Sequence, residues 1–293
     1  MSQTTLVEEK YHVPHAAPWS IIGIIGLFTL VFGGALWLDN FWMGKIVLAA
    51  GAAVVLVMMF GWFGTVIKES EHGLNNAQVD RSYRWGMSFF IFSEVMFFAA
   101  FFGTLFYAHQ FSLPWLGGTG SGAKFPTHAM LWSGFSAGWP SNGPAQLGGH
   151  FQVMDAVGIA AINTVILLSS SVTVTIAHWG LKENKRLQVI LGLLATVVLG
   201  FSFVALQAHE YMDAYLNLNL TLHTGIYGTT FFMLTGFHGL HVTIGAIMLT
   251  VILIRVLKGH FTADHHFGFE AVSWYWHFVD VVWLCLYVFV YWI

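Results

Sequence analysis

Apolar residues dominate seven runs of the chain, at 19–38, 46–67, 85–107, 156–179, 187–208, 222–254 and 271–293. About 20 apolar residues rising 1.5 Å each cross the hydrocarbon of a bilayer, so every run predicts a membrane helix. None alternates polar and apolar positions as a membrane strand must. The sixth run has 33 residues, more than the core requires, which predicts tilt or projection past the bilayer. The expected fold class is all-α, a polytopic membrane protein with seven transmembrane helices.

Between the runs, the basic residues set an orientation. With the N-terminus in the cytoplasm, the inside segments hold Lys10, Lys68, Arg81, Arg84, Lys182, Lys185, Arg186, Arg255 and Lys258. The outside segments hold only Lys45 and Lys124. Nine against two is a positive-inside bias that places the C-terminus in the periplasm, and losing one span would scramble the alternation. The expected location is a bacterial inner (plasma) membrane. Residues 1–18 carry Glu8 and Glu9, no arginine and no apolar core of their own, so they read as neither signal nor transit peptide.

Composition narrows the function class. Hydrophobic residues make up 57% of 293 and charged residues 9%, against about 25% charge in a soluble domain. A net charge of −3 with 11 basic residues leaves no nucleic-acid footprint. The single cysteine, Cys285, excludes a disulfide framework and a cysteine-based metal or iron–sulfur site, and reads as a small buried hydrophobe.

The polar stretch 68–84 separates two spans from five. The organisation expected is a cytoplasmic tail at 1–18, a two-helix segment at 19–67, a cytoplasmic linker at 68–84 and a five-helix bundle at 85–293. An outer loop at 110–152, rich in Gly, Ser, Pro and Trp, interrupts the bundle. Its Trp115, Trp132 and Trp139 fit either the headgroup level or a surface packed on a partner. No internal repeat of the kind that builds secondary transporters is visible.

Polar residues inside the spans are the candidate chemistry, because each is costly in hydrocarbon. Glu94 and Asp280 both lie roughly 14 Å in from the cytoplasmic ends of their runs, and His241 roughly 20 Å, at 1.5 Å per residue. These groups can meet if their helices are neighbours. His238 and His241, three apart, share a helix face. That spacing suits a metal such as Zn, Cu or Fe, and it suits interhelical hydrogen bonding equally without further ligands. His277 reads as packing near the inner part of the last helix, and Asp155 as a charge complementing a helix dipole. Gly23 and Gly26, Ser169 to Ser171, Gly225 and Gly228, and Gly236 and Gly239 are small residues that allow close helix approach.

Several segments resemble one family closely. Gly236-Phe237-His238-Gly239-Leu240-His241-Val242, His265-His266-Phe267-Gly268-Phe269-Glu270-Ala271 and Trp274-Tyr275-Trp276-His277-Phe278-Val279-Asp280-Val281-Val282-Trp283 resemble the signature of cytochrome c oxidase subunit III, in the haem–copper oxidase superfamily. Ser93-Glu94-Val95-Met96-Phe97-Phe98 and Gln207-Ala208-His209-Glu210-Tyr211 are similar to further family segments. The resemblance implies an accessory core subunit of a terminal oxidase in aerobic respiration. Such a subunit carries no redox centre, stabilises the catalytic subunit and supports its proton uptake. It implies helices split two plus five around a lipid-holding cleft, partner subunits I (the main contact) and II, and haem and copper in those partners alone. Catalytic, cofactor-binding and metal-ligating residues are then expected to be absent from this chain. The family's membrane carboxylate falls on Glu94, and its lipid-binding basic residues fall on Lys68 and Arg255. The family often has arginine where Lys68 stands, and an ammonium keeps the charge but not the bidentate fork. Together Glu94, His238, His241 and Asp280 are expected to form an intramembrane polar network, with bound phospholipid near Lys68, Arg255 and Glu94. The loop 110–152 is longer than the family pattern.

Other classes fit less well. A retinal protein needs a lysine in its last helix, and 271–293 has none. A proton-coupled transporter would use Glu94, Asp280 and His241, yet usually carries more polar groups along its path. Subunit III of a quinol oxidase usually has fewer N-terminal helices, so seven spans favour the cytochrome c enzyme.

Overall fold

A computed structural model describes residues 18–263 and 265–292. The tail with Lys10 lies outside the described residues, Pro18 excepted. Among the described residues, seven helices are long and apolar enough to cross a membrane: α1 (Pro18–Leu38), α2 (Gly44–Glu71), α3 (Ala77–Tyr107), α4 (Ile159–Lys182), α5 (Arg186–Leu216), α6 (Gly225–Leu257) and α7 (Phe267–Leu286). No strand occurs among the described residues. Large apolar side chains such as Phe28, Phe60, Val165 and Leu187 project outward, as a hydrocarbon solvent requires.

Helices overrun the apolar runs. The linker expected at 68–84 is mostly helical, because α2 continues to Glu71 and α3 begins at Ala77. Hydropathy marks only the hydrocarbon-facing part, whereas the backbone ladder continues through polar turns. Asn76 accepts the Val79 N–H with its side chain, and Arg84 reaches back to Asp80 at 2.9 Å, so this polar helix start satisfies its own groups. Conversely, α6 starts three residues after its apolar run, since 221–224 form a turn in which Thr224 Oγ1 accepts the Thr221 N–H. The outer loop holds a π turn at Ala108–Ser112 and short helices at Leu113–Leu116, Gly120–Lys124 and Thr127–Leu131.

The chain divides into two compact units, Met1–Trp85 and Gly86–Ile293. In the first, α1 and α2 form a tight pair. A Cβ on Gly33 would collide with the backbone at Leu48, and one on Gly51 with the backbone at Leu30. Gly23 and Gly26 also face α2, against Met58, Val54 and Val55. Trp19 donates from Nε1 to Thr65 Oγ1 at 3.1 Å, tying the far end of the pair.

In the second unit, α4 packs on α5, α5 on α6, α6 on α7 and α7 back on α4, closing a four-helix ring. Trp276 of α7 is fully buried within it. Its Nε1 donates to Ser170 Oγ on α4 at 2.9 Å, and its ring faces Gly200 of α5 and Gly245 of α6. Two turns on, Trp283 Nε1 donates to Thr164 Oγ1 at 2.9 Å. A Cβ on Gly200 or Gly245 would strike the Trp276 ring, whereas one on Gly239 would meet nothing within 4 Å. Outside the ring, α3 packs on α6 and α7 through Phe97 against Phe237 and Phe98 against Phe278.

Candidate functional site

Glu94 on α3 and His241 on α6 meet in the second unit, with 3.0 Å between Glu94 Oε2 and His241 Nε2. Each is near the midpoint of its helix. The Phe237 carbonyl lies 2.6 Å from His241 Nδ1, and a carbonyl can only accept, so Nδ1 donates. One proton then occupies the Nε2–Oε2 contact, carried by the imidazole facing a carboxylate or by the carboxyl facing a neutral imidazole. The pair is net neutral in both forms. Phe98 sits 5.2 Å from the imidazole, Tyr275 stacks at 6.3 Å and Phe278 lies at 6.5 Å. These rings keep the local dielectric low and strengthen the contact.

His238 goes elsewhere. It is fully buried between Phe203 and Trp283, at 5.6 and 5.1 Å, and its Nε2 donates to the Val279 carbonyl of α7 at 3.1 Å. Asp280 is also separate. Its nearest ionisable neighbour is His277, with Nδ1 3.9 Å from Asp280 Oδ2. The Thr175 hydroxyl donates to the Ser171 carbonyl at 2.8 Å, which leaves it to accept from His277 Nε2 at 3.4 Å. Ser171 then donates to His277 Nδ1 at 2.6 Å. So the four groups expected in one network are divided. Glu94 joins His241, whereas the other two turn toward the backbone and side chains of the four-helix ring. Successive positions rotate by about 100°, so groups on shared helices need not converge. His277, read from sequence as packing, is a hydrogen-bonded group at mid-helix. Ser171 and Thr175, four apart on α4, are the pattern that marks its partner face.

Lys68 is exposed in the last turn of α2, in the first unit. Arg255 is half-buried in the last turn of α6, in the second unit, with its guanidinium 4.4 Å over the Phe261 ring. Among the described residues no group of three or more His, Cys, Asp or Glu could hold a metal ion. Three of the histidine pair's four nitrogens bond to backbone carbonyls or Glu94, and His238 Nδ1 has no partner among the described residues.

Comparison with known proteins carries this geometry to a family. The chain is 40% identical over 288 residues to a protein of Lumbricus terrestris named cytochrome c oxidase subunit 3, covering 98% of this chain and 99% of that protein. A protein of the same name from Formosania lacustris is 41% identical over 283 residues, 96% of each chain. One from Gadus morhua is 39% identical over 283 residues, again 96% of each. The model of the family described as cytochrome c oxidase subunit III matches residues 9–123 and 133–293. Its one internal gap falls in the α3–α4 connection, so all seven membrane helices, with Glu94 and His241 facing each other among them, lie inside the match, and the chain belongs to the cytochrome c oxidase subunit III family.

Proposed function

We propose that this subunit of the terminal oxidase is an accessory one. It carries no redox centre, binds catalytic subunit I with subunit II nearby, stabilises subunit I and supports its proton uptake. The carrying observation is the Glu94–His241 pair, one exchangeable proton held at mid-helix in an aromatic cage. A pair that is neutral in both proton positions tolerates hydrocarbon far better than a lone charge, and still passes a proton between two groups. The N-terminus faces the cytoplasmic side and the C-terminus the opposite one, supported by the nine-to-two division of basic residues.

Phospholipid is the second element. Lys68 and Arg255 each end a membrane helix on the side where the basic residues gather, the depth of lipid phosphates. The guanidinium over Phe261 is held in a fixed plane, suited to a phosphate.

The test is Glu94→Gln in the assembled oxidase, which keeps shape and hydrogen bonding but removes the exchangeable carboxyl proton. Assembly and the initial rate of oxygen reduction are expected within about twofold of the parent, a difference under about 0.5 kcal/mol. Proton uptake, or the lifetime of the enzyme during turnover, is expected to fall. Immediate loss of oxygen reduction in a fully assembled complex would replace the accessory role with a direct catalytic one.

A further inference from the structure

Away from the Glu94–His241 pair, three polar side chains meet inside apolar walls. Gln207 and Glu210 lie three apart on α5 and share a face, and Tyr291 closes the π turn that prolongs α7. Their exposures are 5%, 1% and 8%. Gln207 and Tyr291 are each close enough to act on the Glu210 carboxyl and on each other. Yet none of their five polar atoms has a direct hydrogen-bond partner among the described residues: Gln207 Oε1 and Nε2, both Glu210 carboxyl oxygens, and the Tyr291 hydroxyl.

The surroundings offer no substitute. Phe231 and Trp283, both fully buried, face the Tyr291 ring at 5.5 and 5.9 Å. Tyr211, the next residue on α5, is engaged elsewhere. Thr235 gives its hydroxyl proton to the Phe231 carbonyl at 2.7 Å and so accepts from Tyr211 at 2.6 Å. The charged group that acts on Glu210 is Asp213, an anion, and no lysine or arginine of the described residues acts on it.

Five buried polar atoms that lie within reach of one another yet form no well-aligned hydrogen bond are the geometry of a bridged site. The chemistry of the donor set selects the bridge. One carboxyl, one amide and one phenol are too few oxygens for a hard cation such as Ca²⁺, which takes six to eight. They are well matched to water, which makes about three hydrogen bonds in such positions. The amide supplies two donors and an acceptor, the phenol one donor, and the carboxyl two acceptors. We propose that Gln207, Glu210 and Tyr291 form an internal hydration site that binds at least one ordered water molecule within the four-helix ring.

The test is a cryo-EM map of the assembled oxidase at a resolution that shows ordered water. A peak is expected about 2.7–3.2 Å from polar atoms of at least two of the three residues. Direct hydrogen bonds from Tyr291 or Gln207 to Glu210 with no such peak would overturn the proposal, as would density and coordination of a metal ion. Tyr291→Phe keeps the ring against Phe231 and Trp283 and removes only the hydroxyl. In that variant the water is expected to lose occupancy or move toward Gln207. An unchanged peak would remove Tyr291 from the site.

Discussion

Trp276 concentrates the stability of the four-helix ring in one side chain, and its loss can be followed quantitatively. Its Nε1 proton goes to Ser170 Oγ, and Ser170 in turn donates to the Leu167 carbonyl at 2.6 Å, so Ser170→Ala strands a fully buried indole N–H. In soluble proteins such a stranded donor costs about 1–3 kcal/mol. Interhelical hydrogen bonds inside membranes average about 0.6 and reach about 1.7 kcal/mol, because the separated helices find other partners. Here the indole lies over Gly200 and Gly245, which offer it no alternative side-chain acceptor. The upper half of the membrane range therefore applies, about 1–1.7 kcal/mol, or about 5- to 18-fold in the open population. Overpacking acts at the same spot: a Cβ on Gly200 would lie 2.7 Å from Trp276 Cη2, and one on Gly245 2.8 Å from Cε3. Gly245→Ala is expected to cost about 1–3 kcal/mol. The sole cysteine, Cys285, half-buried on α7, reports opening directly. Its rate of labelling by a thiol reagent, resolved by mass spectrometry of this subunit in the purified oxidase, should rise by the factors above. A double-mutant cycle decides the cause, since Ser170→Ala should cost almost nothing in a Trp276→Phe background. An equal cost in both backgrounds would refute the clamp.

Two further outcomes test the other elements. Gly51→Leu should break the α1–α2 pair and lower the amount of assembled subunit several-fold, by overpacking of about 1–3 kcal/mol. Gly64→Leu should be silent because nothing lies within 4 Å of its Cβ position; equal behaviour of the two variants would deny the close approach. Lys68→Gln and Arg255→Gln should each lower the phospholipid retained per complex through detergent purification, counted by mass spectrometry. Arg255→Lys should fall between parent and Gln, since it keeps charge but not the planar fork. Unchanged lipid counts in both Gln variants would sink the lipid reading.

Span count and class were legible because hydrocarbon imposes a length and a composition that few other environments mimic. Glu94 was legible for the same reason: a carboxyl in the middle of 85–107 has to be matched, and sequence left His241, His238 and a lipid head as its candidate partners. What failed to appear was direction around the helix axis. His238, one turn from His241, turns to the Val279 carbonyl, and Asp280 sits beside His277, because contacts depend on which face each helix turns to its neighbours. The same ignorance hid the close contacts at Gly200 and Gly245. Small residues are spread through all seven runs, and only packing reveals which of them an indole covers. The ends of α2 and α3 were misjudged because polar residues such as Asn76 and Asp80 serve a helix there rather than a linker.

Rotation is also what joins the clamp to the functional pair. Tyr275, Trp276 and His277 follow one another on α7 and point in directions about 100° apart. Tyr275 stacks on the His241 imidazole and donates to its carbonyl at 3.4 Å. Trp276 enters the ring and fixes α7 to α4 through Ser170. His277 meets Ser171 and Thr175, one turn along α4. A turn of α7 about its axis would displace all three contacts together. The fully buried indole is the member that resists such a turn, because two glycines confine its ring and a hydroxyl holds its edge. The aromatic wall behind Glu94 and His241 is thus positioned from a neighbouring face of α7. Loosening Trp276 should therefore disturb the proton-sharing pair without touching either of its members.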